Sequence, residues 1–150
     1  MKVYTAGPMT GIPQFNYPAF ISYAASLRAH GFEVVSPAEL DDPDDKEAAL
    51  ASPDGSMLHY TGATRKTWGD FLARDVKLIA DDGIEAIVVL PGWERSRGAR
   101  LETYVGGALC GLPIYTWDAA YGNLMPVPPL DLVRAWANKR DISFHTEVAV

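Results

Sequence analysis

Apolar positions along the chain follow two rhythms in alternation. Val3-Tyr4-Thr5 is a short run with strand character that feeds a loop, Ala6 to Pro13, rich in glycine and proline. Phe20, Tyr23, Ala24 and Leu27 then recur at i, i+3, i+4 and i+7, which predicts a helix from about Pro18 to His30. Asn16 lies near its start and Gly31 fits its C-terminal cap. Phe32 to Ser36 reads as a second short strand. Trp68, Phe71, Leu72, Val76 and Ile79 share one face of a second helix, Trp68 to Ala80. Ile84 to Leu90 is nearly all apolar, as expected of a central parallel strand covered on both sides. After Pro91-Gly92 and a polar loop, Trp93 to Gly98, comes a helical stripe of Glu102, Val105, Gly106 and Leu109, closed by Gly111. Pro113 to Trp117 reads as a strand, Asp118 to Pro129 as a Gly/Pro-rich connection, Leu130 to Arg140 as a helix and Ile142 to Val150 as an apolar tail.

Strands alternating with helices predict a parallel sheet with right-handed crossovers. Ligands of such sheets bind outside the carboxyl ends of the strands. The first loop, the 91–98 loop and the start of the Glu102 helix all fall on that edge. One stretch breaks the rhythm. Residues 37–66 hold Asp41-Asp42-Pro43-Asp44-Asp45 and then a Gly/Ser/Thr-rich run. The aspartates lack the ordered spacing and distal glutamate of a calcium loop. A solvated insertion, or a lid, is expected there.

Composition narrows the function. A chain of 150 residues fits one domain with a sizeable core. Its formal net charge of −6 argues against a duplex-DNA binder, which needs a basic face. It leaves room for a small anionic ligand held by a few local donors. Cys110, the single cysteine, has no internal disulfide partner and reads as a packed thiol. No apolar run approaches the roughly 20 residues that span a bilayer. The opening Lys-Val-Tyr-Thr-Ala-Gly-Pro is no signal-peptide pattern. Together these predict a cytosolic protein away from membranes. His30, His59 and His145 show no metal-ligand spacing, so no metal is expected.

Two carboxylates stand on the wrong side of their helices. Asp75 is the only charged member of its apolar face, and a buried carboxylate needs a partner or a raised pKa. An ion pair with a neighbouring arginine and a role in chemistry are both open. Glu102 heads the inward stripe of its helix. An acidic residue in a first helical turn is ordinarily a macrodipole ornament, but that account suits an exposed glutamate. Two inward carboxylates at one strand edge suit glycosidic-bond cleavage, one as nucleophile and one as proton donor. Ser96, Arg97 and Gly98 precede a helix and would favour an anion. Ala6-Gly7-Pro8 is either a tight turn or a close approach to a ligand. Tyr4 needs a polar partner if buried, and Trp93 is placed to touch a base or ribose.

Tyr4-Thr5-Ala6-Gly7-Pro8-Met9, the Arg74-Asp75 pair and Ser96-Arg97-Gly98-Ala99-Arg100-Leu101-Glu102 together resemble the nucleoside 2-deoxyribosyltransferase superfamily, which includes nucleoside 5′-monophosphate N-glycosidases. The likeness is nearest to its small, often phage-encoded members with an AGPM-type loop, and it spans about residues 3 to 117. It implies a single-domain, flavodoxin-like (Rossmann-type) α/β fold with helices on both faces of a parallel sheet. It implies no cofactor and no metal. Glu102 would be the nucleophile on the sugar C1′, Tyr4 would orient it, and Asp75 would meet the base and assist proton transfer. Ala6, Gly7, Pro8, Met9, Trp93, Ser96 and Gly98 would bind substrate, with Ser96 at a phosphate position. Members are usually homo-oligomers, and the extension over 118–150 would serve a neighbouring subunit. The first loop lacks the basic residue that some phosphate-binding members carry, and the 37–66 insertion is foreign to compact members.

The leading expectation is therefore cleavage or exchange of the N-glycosidic bond of a (deoxy)nucleoside or its 5′-monophosphate. The alternatives are a nucleotide-binding or ligand-sequestering protein without catalysis, and an interaction module using the acidic insertion.

Overall fold

The computed structural model describes residues 1–57 and 65–137. Its centre is a five-stranded sheet in the order β2-β1-β3-β4-β5. The strands are β1 (Lys2–Ala6), β2 (Glu33–Val35), β3 (Ala86–Val89), β4 (Ile114–Asp118) and β5 (Asn123–Pro126). The first four run parallel, with Tyr4 level with Val35 on one side and Ile87 on the other. This is a doubly wound α/β fold of the flavodoxin-like strand order, whose switch point lies between β1 and β3.

Alternation along the strands divides the core. Val3, Val34, Ala86, Val88 and Trp117 face α1 (Tyr17–Ala29), meeting Ala24 and Leu27. Tyr4, Ala6, Ile87, Val89 and Ile114 face the opposite layer. That layer is built from α4 (Trp68–Asp81), α5 (Arg97–Thr103) and α6 (Pro129–Trp136), which contribute Ile79, Ala99 and Ala135. α1 fits its sequence pattern, with Phe20, Ala24 and Leu27 fully buried and Gly31 taking the positive φ of 90° after its last turn. α4 starts on a capping box: Thr67 Oγ1 accepts from Asp70 N–H, and the Asp70 carboxylate accepts from Thr67 N–H at 2.7 Å.

Four expectations need correction. The 37–66 segment is not a solvated insertion over its described part. It forms α2 (Pro37–Leu40) and α3 (Pro43–Leu50), and Ala38 and Ala49 join Phe15, Tyr17, Phe20 and Leu90 in a third apolar cluster. The acidic run is a helix start, with Pro43 at the first position and Asp44 and Asp45 in the first turn, where the dipole favours them. Residues 58–64 of that segment lie outside the described residues. Second, the 118–129 connection contains β5, which pairs antiparallel with β4 and makes the sheet mixed. Asp118 folds the turn by accepting from Ala120 N–H and Tyr121 N–H, and Pro126 is tolerated because β5 is an edge.

Third, the stripe after Glu102 does not stay inward. Tyr104–Leu109 is a π-helical turn, marked by Cys110 N–H donating to Val105 O at 2.9 Å. The wider turn rotates the end of the helix outward, so Leu109 is 66 % exposed. Fourth, Cys110 is exposed rather than packed. α6 spans Pro129–Trp136, and the expected helix end at Arg140 and the expected tail, Ile142 to Val150, lie outside the described residues.

The π-helical turn lies close on the sheet at two glycines. A Cβ on Gly106 would strike the Cδ1 of Ile87, and one on Gly107 would come within 2.6 Å of Ile114 Cδ1. Both isoleucines are buried. Gly106→Val is expected to destabilise the fold by roughly 1–3 kcal/mol, as overpacking of a tight core does, read as a lower denaturant midpoint at unchanged slope.

Candidate active site

At the carboxyl end of β1 and β3 the chain encloses a cavity of about 420 Å³, within the order of 300–1,000 Å³ usual for small-molecule sites. Its walls come from the first loop, the α2–α3 segment, the first half of α4 and the start of α5. Trp68, Phe71 and Leu72, expected to face the core, instead line this cavity, while Asp75 and Ile79 deeper along the same face are buried.

Glu102 and Asp75 both reach it, and each is about one-twentieth exposed. Glu102 sits in the last turn of α5, immediately before the π-helical turn, so the first-turn macrodipole does not explain it. Tyr4, fully buried on β1, donates its hydroxyl to Glu102 Oε1 at 3.3 Å. Burial pushes the Glu102 carboxyl well above the usual range, and the negative Asp75 adds to this, while Tyr4 and Arg74 oppose it. Asp75 is raised too, first by burial, against the pull of Arg74. Tyr4 itself is driven well above 10 by burial and by the facing carboxylates, so it stays a hydroxyl.

Asp75 also has the arginine partner that its helix position left open. Arg74 Nε donates to Asp75 Oδ1 at 2.8 Å, and Nη2 approaches the same oxygen at 2.8 Å. Arg74 Nη1 pairs with Asp41 Oδ1, and the Tyr17 hydroxyl donates to Asp41 Oδ2. Burial alone would weaken the charge on Arg74, but its bonds to Asp75 and then Asp41 raise its pKa and hold it protonated. Asp41 is raised by burial, against Arg74.

The first loop is held by strain and stitching. Gln14, Phe15 and Asn16 all adopt left-handed φ values, of 57°, 48° and 59°, a conformation that costs non-glycine residues roughly 1–2 kcal/mol each. Asn16 Nδ2 donates to Pro8 O at 2.8 Å, and Gln14 N–H and Gly11 N–H donate to Ser52 O and Gly55 O, each at 2.8 Å. The turn presents Phe15 and Met9 to the cavity, opposite Met57. Gly7 has no room for a side chain, since a Cβ there would meet Leu90 Cβ at 2.8 Å.

Ser96 caps α5, its Oγ accepting from Ala99 N–H at 3.2 Å. Gly98 opens beside it, with no neighbour closer than 3.9 Å to a built Cβ. Arg95 and Arg97 line the same rim, Arg97 stacking over Trp68 at 5.1 Å. Among the described residues neither arginine forms an ion pair with a carboxylate.

Of the sequence-nominated residues, Gly7, Met9, Asp75, Ser96, Gly98 and Glu102 line the cavity, and Tyr4 supports it from below. Ala6, Pro8 and Trp93 are not among the lining residues. Ala6 is packed in the sheet core, and Pro8 contributes its carbonyl to Asn16. Trp93 is buried with Ala99 and Val127 and borders a separate hollow near α6, so its expected contact with a base or ribose does not fit this cavity. Asp41, Tyr17 and Arg95 went unnominated. The available signal for Asp41 was Pro43 two residues on, which marks a packed helix start rather than a solvated run.

Comparison with known proteins assigns residues 1–116 to a family described as a domain of unknown function, DUF4406. The chain belongs to the DUF4406 family. No curated protein and no solved structure matches it. The DUF4406 match stops within β4, so Tyr4, Asp41, Asp75, Ser96 and Glu102 fall inside it, whereas β5 and α6 fall outside. Among the described residues no three His, Cys, Asp or Glu side chains form a metal-binding group, and no helix is long and apolar enough to cross a membrane.

The raised pKa of Glu102 makes a prediction that needs no substrate. A carboxyl raised in the folded state binds its proton more tightly there than in the unfolded chain. Its stability contribution is present below the unfolded value and is lost as pH rises through the folded one. Glu102→Gln is therefore expected to gain stability over wild type as pH rises from about 4 to 8, measured by denaturant unfolding at each pH. A difference constant across that range would contradict the assignment.

Proposed function

We propose that this protein cleaves or exchanges the N-glycosidic bond of a nucleoside 5′-monophosphate or nucleoside, with Glu102 as nucleophile. The observation that carries this reading is the pairing of two buried carboxyls, Glu102 and Asp75, around the Tyr4 hydroxyl in one cavity at the sheet's switch point. Such a pair suits a reaction with an oxocarbenium-like transition state. The Glu102 carboxylate attacks C1′, the C1′–N bond breaks with its electron pair passing to the base, and Asp75 delivers a proton to the departing nitrogen. Water, or a second base, then attacks C1′ while losing a proton to the Asp75 carboxylate, and the C1′–O bond to Glu102 breaks with its electron pair returning to the Glu102 carboxylate.

Burial and the neighbouring Asp75 make Glu102 hold its proton more tightly than a free carboxyl does. Attack needs the ionised form, which positive charge developing at C1′ stabilises. Tyr4, hydrogen-bonded to Glu102 and acting also on Asp75, offers a route between the two carboxyls.

The acids outnumber the cation in the cavity interior, where, among the described residues, Arg74 alone pairs with Asp41 and Asp75. Asp41, Asp75 and Glu102 line one part, and Arg95 and Arg97 line the rim beside Ser96 and Gly98. An acidic interior accepts hydrogen bonds from a base, and a basic rim suits a phosphate. The rim arginines thus provide the positive charge that the first loop lacks, which favours a monophosphate over a nucleoside. The upward shift of Glu102, which disfavours the ionised nucleophile, also favours a second reading, a nucleotide-binding protein that does not turn over.

Incubation with a panel of nucleosides and 5′-monophosphates, with and without an acceptor base, separates these readings. Free base is expected from monophosphates, Glu102→Ala is expected to abolish its release, and Asp75→Asn to slow it by roughly 10²–10⁴-fold. Arg97→Ala is expected to raise KM for the monophosphate more than for the nucleoside. A thermal shift with nucleotide but no base release after long incubation would favour the binding protein. Unchanged turnover by Glu102→Ala would overturn the mechanism.

A further inference from the structure

Asp41 comes from the turn between α2 and α3, remote in sequence from both carboxylates of the site, yet it takes part in their network. Arg74 grips two aspartates at once. Its Nη1 goes to Asp41, while Nε and Nη2 both go to Oδ1 of Asp75. The guanidinium also lies over the Phe71 ring, 5.6 Å from its centre. Tyr17, the first residue of α1, fixes the other oxygen of Asp41. Asp41 and Asp75 are each about one-twentieth exposed, so their attraction to the shared cation is screened less than that of a surface pair.

We infer that Asp41 is a positioning residue for the Asp75–Glu102 pair, fixing Arg74 in place and dividing its charge so that Asp75 receives only part of it. Asp75 faces Arg74 on its own helix, Asp41 from the α2–α3 turn, Tyr4 from β1 and Glu102 from α5. Asp41 in turn faces Arg74, Tyr17, Asp45 and Lys66. Without the charge on Asp41, Arg74 belongs to Asp75 alone and the repulsion between the two aspartates disappears. Both changes favour ionised Asp75. An ionised Asp75 then makes ionisation of Glu102 harder, so the two titrations move apart. Asp41 thereby keeps Asp75 able to carry a proton while holding its side chain in place.

The inference rests on the proposed reaction only in its activity arm. Carboxyl ¹³C NMR titration of the full chain reads the two side chains directly. In Asp41→Asn the Asp75 midpoint is expected to fall by about one pH unit and the Glu102 midpoint to rise. Unmoved midpoints in a folded variant overturn the inference. Should Asp41→Asn fail to fold, Tyr17→Phe decides: it loosens Asp41 without removing its carboxylate, and a smaller shift in the same direction is expected, none being fatal. Base release by Asp41→Asn is expected to show a lower kcat, an unchanged KM and an alkaline limb moved to lower pH. If the wild type releases no base from any substrate, the proposed reaction fails while the titration still decides the role of Asp41.

Discussion

Three buried carboxyls share one partly exposed guanidinium. Asp41, Asp75 and Glu102 cluster around Arg74, whose single positive charge cannot neutralise three negative ones. Ionising all three in a poorly hydrated site is costly. The molecule meets this with a raised pKa on each acid, with two tyrosine hydroxyls that donate into the cluster, and with a division of Arg74 between two partners. The arrangement needs β1 for Tyr4, α1 for Tyr17, the α2–α3 turn for Asp41, α4 for the Arg74–Asp75 pair and α5 for Glu102. Much of the architecture converges on that cluster.

The sheet makes the convergence possible. At the switch point the crossovers from β1 and β3 leave in opposite directions, and a crevice opens between them. α1 covers one face and α4 and α5 the other. The α2–α3 segment and the residues after it close the crevice from the side and are laced to the first loop through Gly11 and Gln14. Loop and insertion therefore form one wall, and the strain of three consecutive left-handed residues is held by hydrogen bonds from both.

Elements with a clean period were legible in the chain. α1 and β3 are patterned by burial alone, and the parallel pairing of the first four strands follows from their alternation with helices. The inward placement of Asp75 and Glu102 was legible for the same reason, because a charge interrupting an apolar period stands out. Asp41 was not legible. Its burial depends on Tyr17 and Arg74, residues 24 and 33 positions away in sequence, and local composition around it resembles solvent-facing chain. Leu109 and Cys110 were misplaced because a π-helical turn adds a residue without disturbing the apolar pattern. Trp93 was misplaced because its position at the strand edge says nothing of its direction, and Gly92 at φ 85° turns it into the core.

That π-helical turn has a mechanical side. Because of it, consecutive glycines, Gly106 and Gly107, both meet the sheet, one against Ile87 of β3 and the other against Ile114 of β4. An α-helical turn would set neighbouring residues about 100° apart and seat only one of them. The helix therefore straddles two strands like a saddle, and shear between β3 and β4 would drive one isoleucine or the other into its backbone. Glu102 precedes this saddle by two residues. Its carboxyl is therefore mounted on a footing packed against two neighbouring strands.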